Sequence, residues 1–259
     1  MGAGNTKVTN HRKGFVDEIE KVSKLDDSTF FNWFNESGGD INTNFLKGQC
    51  EFALFILLPI LRLLDEPKKK VALEIGYGGG RLLAAACQSF KEVVGVDVHG
   101  HASKVERELN RRGIENFRLL QNDGKALPVE DSSIDLVYSF IVLQHVEKID
   151  IFDSYMLEAY RSLNQGGYAV LFFARLSRYS VNRKSKFLYQ VDRLAERLSR
   201  KGYREILARV NCVNLTISLK YAKKRAKEAG FSIVSEGVSK KIPLLQKYGG
   251  QHYLVLRKE

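Results

Sequence analysis

From residue 71 onward the chain alternates short apolar runs with longer stretches in which apolar residues recur every three or four positions. The runs near 71–76, 92–98, 116–121, 134–140 and 168–174 predict strands. Phe152, Tyr155, Met156, Ala159, Tyr160 and Leu163 form a 3.6-residue stripe, the core face of a helix. Phe187, Val191, Leu194 and Leu198 fall at i, i+4, i+7 and i+11 and predict an amphipathic helix that Gly202 stops. A second short helix would carry Tyr203, Ile206, Leu207 and Val210. Strands and helices in alternation imply a mostly parallel sheet. The longest apolar run, 52–61, contains Pro59 and is too short for a bilayer span, which needs roughly 20 residues. It reads as a buried helix leading into the first strand. Residues 1–44 read as an arm with an aromatic cluster, Phe30, Phe31, Trp33 and Phe34. Aromatics this dense rarely stay exposed, so they either dock on the core or cover a pocket as a lid. The main domain is expected at 45–259, with an insertion at 175–214.

Composition narrows the class. The chain has 259 residues, 44% hydrophobic and 27% charged, enough for one α/β domain with an insertion and ordinary for a soluble protein. Cys50, Cys87 and Cys212 are scattered, without a C-x-x-C pair, which argues against a zinc site or a disulfide framework and fits a reducing, cytoplasmic setting. The N-terminus lacks a signal-peptide core. MGAGNT matches the loose N-myristoylation pattern at Gly2, a match that chance also produces. The net charge of +11 is unevenly spread. Residues 1–174 carry 20 basic and 24 acidic residues, whereas residues 175–259 carry 21 and 6. The insertion alone holds eleven basic residues and three acids. This asymmetry points either to an anionic partner or to a solvated helix face.

The chemistry concentrates at 71–81, VALEIGYGGGR. An apolar run contains an acid, Glu74, and leads into alternate glycines, Gly76, Gly78 and Gly80, before the helix-like LLAAAC. Glycine lets a backbone approach a ligand closely and adopt φ > 0. Asp97 ends the next apolar run, twenty-one residues after Gly76, where a carboxylate can grip both hydroxyls of a ribose. Together they imply an adenosine-containing ligand at the sheet edge. The dinucleotide pattern G-x-G-x-x-G requires glycine at position 81, where Arg81 stands. The spacing present, E-x-G-x-G-x-G, resembles the first motif of the class I S-adenosylmethionine-dependent methyltransferases. Residues 119–146, LLQNDGKALPVEDSSIDLVYSFIVLQHV, resemble that family's stretch from strand three through strand four, at Asp123, Leu127, Pro128, Asp135, Leu136, Val137 and His145. RSLNQGGYAVLFF at 161–173 resembles the helix end and fifth strand, with Gln165 replacing the usual proline. Residues 227–238 and 251–258 resemble the last helix and the closing strand pair. The resemblance runs from 71 to the C-terminus, interrupted between 175 and 214.

The resemblance implies a Rossmann-like α/β fold: a seven-stranded, mostly parallel sheet with an antiparallel last strand, helices on both faces, and a helical insertion after strand five. It implies S-adenosylmethionine as cofactor. Glu74 with Gly76, Gly78 and Gly80 would hold the methionine part, Asp97 the ribose, Val98 the adenine face, and Asp123 beside Gly124 the adenine amino group. Tyr77 replaces the usual small residue; its ring would either touch the sulfonium region through a cation–π contact or shield the pocket. His145, just past strand four, is the candidate base, or else packs and orients. Asp97, His99 and His101 read as a polar loop in preference to a metal site. The ends of strands four and five (Tyr138, Ser139, Phe140; Phe172, Phe173, Ala174) lack the acid that metal-dependent relatives place there, so no metal is expected. The implied activity is methyl transfer to oxygen, nitrogen or carbon of a small-molecule acceptor. The alternatives are an RNA-modifying enzyme gripping phosphates with its basic C-terminal third, although no RNA-binding module is recognisable, and a cofactor-binding regulator without turnover. The insertion either caps the acceptor pocket or grips an anion.

Overall fold

The computed structural model describes residues 10–34, 40–176, 182–183, 185–206, 210–239 and 248–259. Gly2, Arg178, Lys184, Leu207 and Arg209 therefore lie outside the described residues. In chain order the elements begin with α1 (Asn10–Ser23), α2 (Asp27–Trp33) and α3 (Ile41–Glu51). A π-helical turn (Phe52–Leu57) and the short α4 (Leu58–Ile60) follow. The alternating core comprises β1 (Val71–Ile75), α5 (Arg81–Cys87), β2 (Glu92–Asp97), α6 (Ala102–Arg111), β3 (Phe117–Gln121), β4 (Ile134–Ser139), α7 (Ile149–Ser162) and β5 (Leu163–Ala174). Then come β6 (Asn182–Arg183), α8 (Lys186–Leu198), β7 (Tyr203–Glu205), β8 (Leu215–Ile217), α9 (Leu219–Glu228), β9 (Phe231–Val238), β10 (Tyr248–Gly249) and β11 (Gln251–Lys258).

Seven strands form one sheet in the order β3-β2-β1-β4-β5-β11-β9, with β11 antiparallel to both neighbours. The strand order reverses between β1 and β4, which opens a crevice at their C-terminal ends. Consecutive strand residues point to opposite faces, so strands covered on both sides are apolar throughout. Phe172 joins one core with Phe30, Phe52, Ile56 and Phe90, while its neighbour Phe173 joins the other with Leu73, Val94, Phe152 and Met156. Asp135, part of the motif in β4, is structural: Oδ2 accepts from the Val71 N–H at 2.8 Å and Oδ1 from Asn164 Nδ2 at 3.1 Å. It pins the starts of β1 and β5 to β4.

The N-terminal helices pack on this frame. Asp26 and Asp40 cap α2 and α3, accepting from Thr29 and Thr43 N–H at 2.9 and 3.0 Å. Phe30 and Phe31 are buried, with Phe30 edge-on to Phe31 and Phe34. Arg81 at the start of α5 pairs with Glu51 at the end of α3. The expected division after residue 44 falls inside α3, whose Phe45 belongs to the same core as Phe30.

Several expectations need correction. Leu163 begins β5 and does not end α7. The run 52–61 is only half buried: Phe52, Ile56 and Ile60 face the core, but Leu54, Leu58 and Leu61 are exposed. The second helix of the insertion is instead β7, which pairs antiparallel with β8 from Tyr203↔Ile217 to Glu205↔Leu215. A three-residue apolar spacing does not distinguish these outcomes when a distant strand offers a partner. Helix α8 lies where its periodicity placed it, but the apolar stripe faces outward. No helix among the described residues is long and apolar enough to cross a membrane.

Burial separates structural from surface apolar positions. Phe30→Ala should destabilise the protein by about 3–5 kcal/mol, and Leu58→Ala by no more than about 0.5 kcal/mol. Urea unfolding of the two variants checks this; equal midpoints would contradict the docked arm.

Candidate cofactor and acceptor site

A cavity of about 430 Å³ opens at the C-terminal ends of β1, β2 and β4. Its walls include Glu74, Gly76, Tyr77, Gly78, Asp97, Val98, Asp123, Gly124 and His145, so the structure brings together all the candidate site residues except Gly80. Gly80 lies behind them as the N-cap of α5. The turn after β1 must be glycine for two reasons. Gly76 has φ +80°, and a Cβ there would overlap Val142 of the β4 loop. Gly78 has φ +51°, and its Cβ would meet the Phe34 ring at 2.8 Å.

Asp97 and His99 hold that turn from the neighbouring strand. Asp97 Oδ2 accepts the Gly78 N–H at 2.8 Å, and Oδ1 accepts the Val98 N–H at 2.7 Å. His99 is buried; its Nδ1 accepts from the His101 N–H at 3.2 Å. The ring proton is therefore on Nε2, which donates to the Gly78 carbonyl at 3.1 Å. Both backbone polar groups of Gly78 are thus bound by the β2 loop. His101 in turn pairs with Glu20 of α1 at 3.0 Å. The Asp-x-His-x-His segment is a polar loop that fastens the glycine turn and the arm.

Glu74 is buried beside β4, where the Tyr138 hydroxyl donates to it at 3.1 Å. Burial pushes its carboxyl up to about 8, with Tyr138 and Arg81 pulling in the opposite direction. Tyr77 is buried as well, 4.9 Å from His99 and against Gly95. Its hydroxyl has no partner among the described residues, and burial pushes the phenol upward. The ring forms part of the cavity wall. Asp123 is exposed at the mouth, with Oδ1 accepting from the Lys125 and Ala126 N–H groups at 2.9 Å. Arg161 steadies the following loop by donating to the Leu127 and Val129 carbonyls at 2.7 and 2.9 Å.

At the far end stands His145. Nδ1 lies 2.7 Å from the Cys212 carbonyl, so it carries the proton and donates. Nε2 then faces Gln144 Nε2 at 3.3 Å as an acceptor, and Gln144 Oε1 accepts from Gln251 at 2.9 Å. The insertion therefore fixes the His145 tautomer through Cys212 and also contributes Asn211 to the cavity. Phe15, Ile19, Trp33 and Phe34 close the arm's side. Of the aromatic cluster, Phe30 and Phe31 are buried in the core, and Trp33 and Phe34 pack against it while lining the cavity. Sequence reasoning missed Phe15, Asn211 and Ile141. Ile141, a β-branched residue at φ +65° on the cavity wall, is a strained position that SFIVL does not reveal.

The donor set fits a nucleoside carrying positive charge. Glu74, Asp97 and Asp123 put three carboxyl groups along one cavity, Asp97 keeps acceptor capacity beyond its backbone bonds, and the glycine turn leaves room that side chains would fill. Comparison with known proteins agrees. Residues 73–171 match the family model described as a methyltransferase domain. A malonyl-[acyl-carrier protein] O-methyltransferase of Marinomonas sp. is 28% identical over 150 residues, covering 55% of this chain and 52% of its own. The chain thus spans about half the length of that curated relative. An S-adenosylmethionine-dependent methyltransferase of Clostridium acetobutylicum superimposes with TM-score 0.59 at 13% identity, over 92% of this chain and 98% of that one. The N-methyltransferase NodS of Bradyrhizobium japonicum, solved with S-adenosyl-L-homocysteine, gives TM-score 0.56 at 13% identity over 95% and 98%. At these identities the superpositions show the fold. The family model thus matches residues 73–171, less than half of the chain, and the superpositions show a fold shared with S-adenosylmethionine-dependent methyltransferases.

Glu74 links stability to pH. Its folded value, about 8, exceeds the ordinary 4.5, so its contribution is complete below about 4.5, where both states are protonated. It declines as pH rises toward 8 and levels off above. Glu74→Gln should flatten this decline, measured as urea-unfolding free energy at pH 5 and 8.5; an unchanged slope would contradict the buried, protonated carboxyl.

Proposed function

We propose that this domain binds S-adenosylmethionine in the cavity and methylates a small acceptor held between the arm and the insertion. The observation that carries the reading is Asp97, whose carboxylate faces the cavity at the end of β2 with the glycine turn organised around it. In this reading Asp97 holds the ribose hydroxyls, Val98 lies along the adenine, and Asp123 with Gly124 meets the adenine amino group. Glu74 and the turn 76–80 face the methionine part, where an ammonium would draw the Glu74 carboxyl toward its ionised form.

When bound, S-adenosylmethionine would supply an activated methyl group, passed in line from its sulfonium sulfur to the acceptor nucleophile with S-adenosylhomocysteine as the leaving thioether. The chain's work is then chiefly positioning, worth roughly 7–11 kcal/mol of barrier. Phe15, Trp33, Phe34 and Phe140 exclude water, while Asn211 and His145 offer the polar contacts at the acceptor end. His145 is held with Nε2 as an acceptor, the tautomer needed to take a proton from an acceptor hydroxyl or amine. The names of two relatives, one an O-methyltransferase and one an N-methyltransferase, support a small acceptor with an oxygen or nitrogen nucleophile.

Calorimetry with S-adenosylhomocysteine tests the cofactor. The wild type should bind, NAD should not, and Asp97→Ala should weaken binding about 10- to 100-fold, the effect of losing charged hydrogen bonds. No measurable affinity, or affinity indifferent to Asp97, would overturn the reading. With an acceptor found by labelled-methyl transfer, His145→Ala should lower kcat about 10²- to 10⁴-fold; near-normal turnover would leave His145 an orienting residue only.

A further inference from the structure

Helix α8 is amphipathic and sits with its apolar stripe away from the domain. Tyr189, Asp192 and Glu196 form its inner face. Asp192 is buried, and Glu196 accepts from His252 Nε2 at 2.7 Å and from the Leu219 N–H at 2.8 Å. The guanidinium of Arg175, itself 2% exposed, lies 4.8 Å from the Tyr189 ring centroid. On the opposite side, Phe187, Val191, Leu194 and Leu198 are 75, 47, 58 and 72% exposed. Surface helices ordinarily do the reverse. Rotating the stripe inward would strip Glu196 and Arg175 of their buried partners, a severe cost for buried charges. The outward apolar face is therefore fixed by the fold.

Charge says what fits it. Lys186, Arg193 and Arg197 are exposed and fall together on one flank of the stripe at helical spacing. Both acids of α8 are on the inner face, so its outer surface carries positive charge alone. Helix α9, joined to α8 through the Glu196–Leu219 hydrogen bond, carries exposed Lys220, Lys224 and Lys227, of which Lys224 pairs with the exposed Glu228 at 3.6 Å. A second copy of the chain would bring arginine toward arginine with no acid of α8 between them. An RNA would engage the arginines but leave Phe187 and the leucines in water. An apolar stripe flanked by cations suits the boundary of an anionic lipid layer.

We propose that α8 docks the protein on anionic lipid surfaces, with Phe187, Val191, Leu194 and Leu198 entering the headgroup–acyl boundary and Lys186, Arg193 and Arg197 meeting phosphates. The insertion that carries α8 also supplies Asn211 and the Cys212 carbonyl to the cavity, so docking and the acceptor end of the site share one segment.

The test is co-sedimentation of the full chain with phosphatidylcholine vesicles, with and without about 30% phosphatidylglycerol. Binding should require the anionic lipid and weaken with salt. The double variant Leu194→Asp/Leu198→Asp should lose at least about tenfold in partitioning, and Arg193→Gln/Arg197→Gln should reduce both binding and its salt dependence. Both variants should retain the wild-type circular dichroism spectrum and S-adenosylhomocysteine affinity, which keeps this test separate from that of the cofactor. Absence of binding to anionic vesicles at low salt, or binding indifferent to the Leu194/Leu198 change, would overturn the proposal. So would a wild-type dimer, seen by sedimentation velocity, that the leucine variant dissolves without any lipid binding.

Discussion

The site depends on the way β2 grips the turn after β1. Asp97 takes the N–H of Gly78 and His99 donates to its carbonyl. A glycine-rich turn is otherwise the most mobile backbone in a fold, because glycine loses the most conformational freedom on ordering. Fixing both polar groups of Gly78 from a buried loop removes that freedom before any ligand arrives. The same carboxylate that organises the turn also faces the cavity, so the shape of the cradle and the group proposed to meet the ribose are one structure.

Two segments outside the central βα units complete the cavity. The arm is anchored by Phe30 and Phe31 in the core and by His101 against Glu20, and it presents Phe15, Trp33 and Phe34 to the opening. The insertion reaches the other end through Cys212, whose carbonyl sets the tautomer of His145. The end proposed for the acceptor thus rests on the arm and the insertion, while the end assigned to the cofactor rests on β1, β2 and the loops after them. Such a division suits a reaction in which orientation matters more than reactive side chains.

The sequence exposed what is local. The alternation of glycines and the acid closing the 92–97 run sit within single turns, so spacing alone placed Gly76, Gly78 and Asp97. Strands buried on both faces announced themselves as continuous apolar runs, and their parallel order followed from the alternation with helices. What stayed hidden is non-local. The periodicity of α8 gave a stripe without saying which face the domain takes, and the answer came from Arg175, Glu196 and His252, residues far apart in sequence. Tyr203–Glu205 became a strand because residues 215–217 lie beside it. The proton on His145 Nδ1 depends on a carbonyl sixty-seven residues away. The positive φ of Ile141 has no compositional sign at all.

The most direct measurement is a crystal structure of the protein with S-adenosylhomocysteine. The account predicts both ribose hydroxyls within hydrogen-bond distance of the Asp97 carboxylate, at about 2.6–3.2 Å, with Gly78 still bound by Asp97 and His99. A nucleoside lodged elsewhere, or an Asp97 turned away from it, would contradict the account.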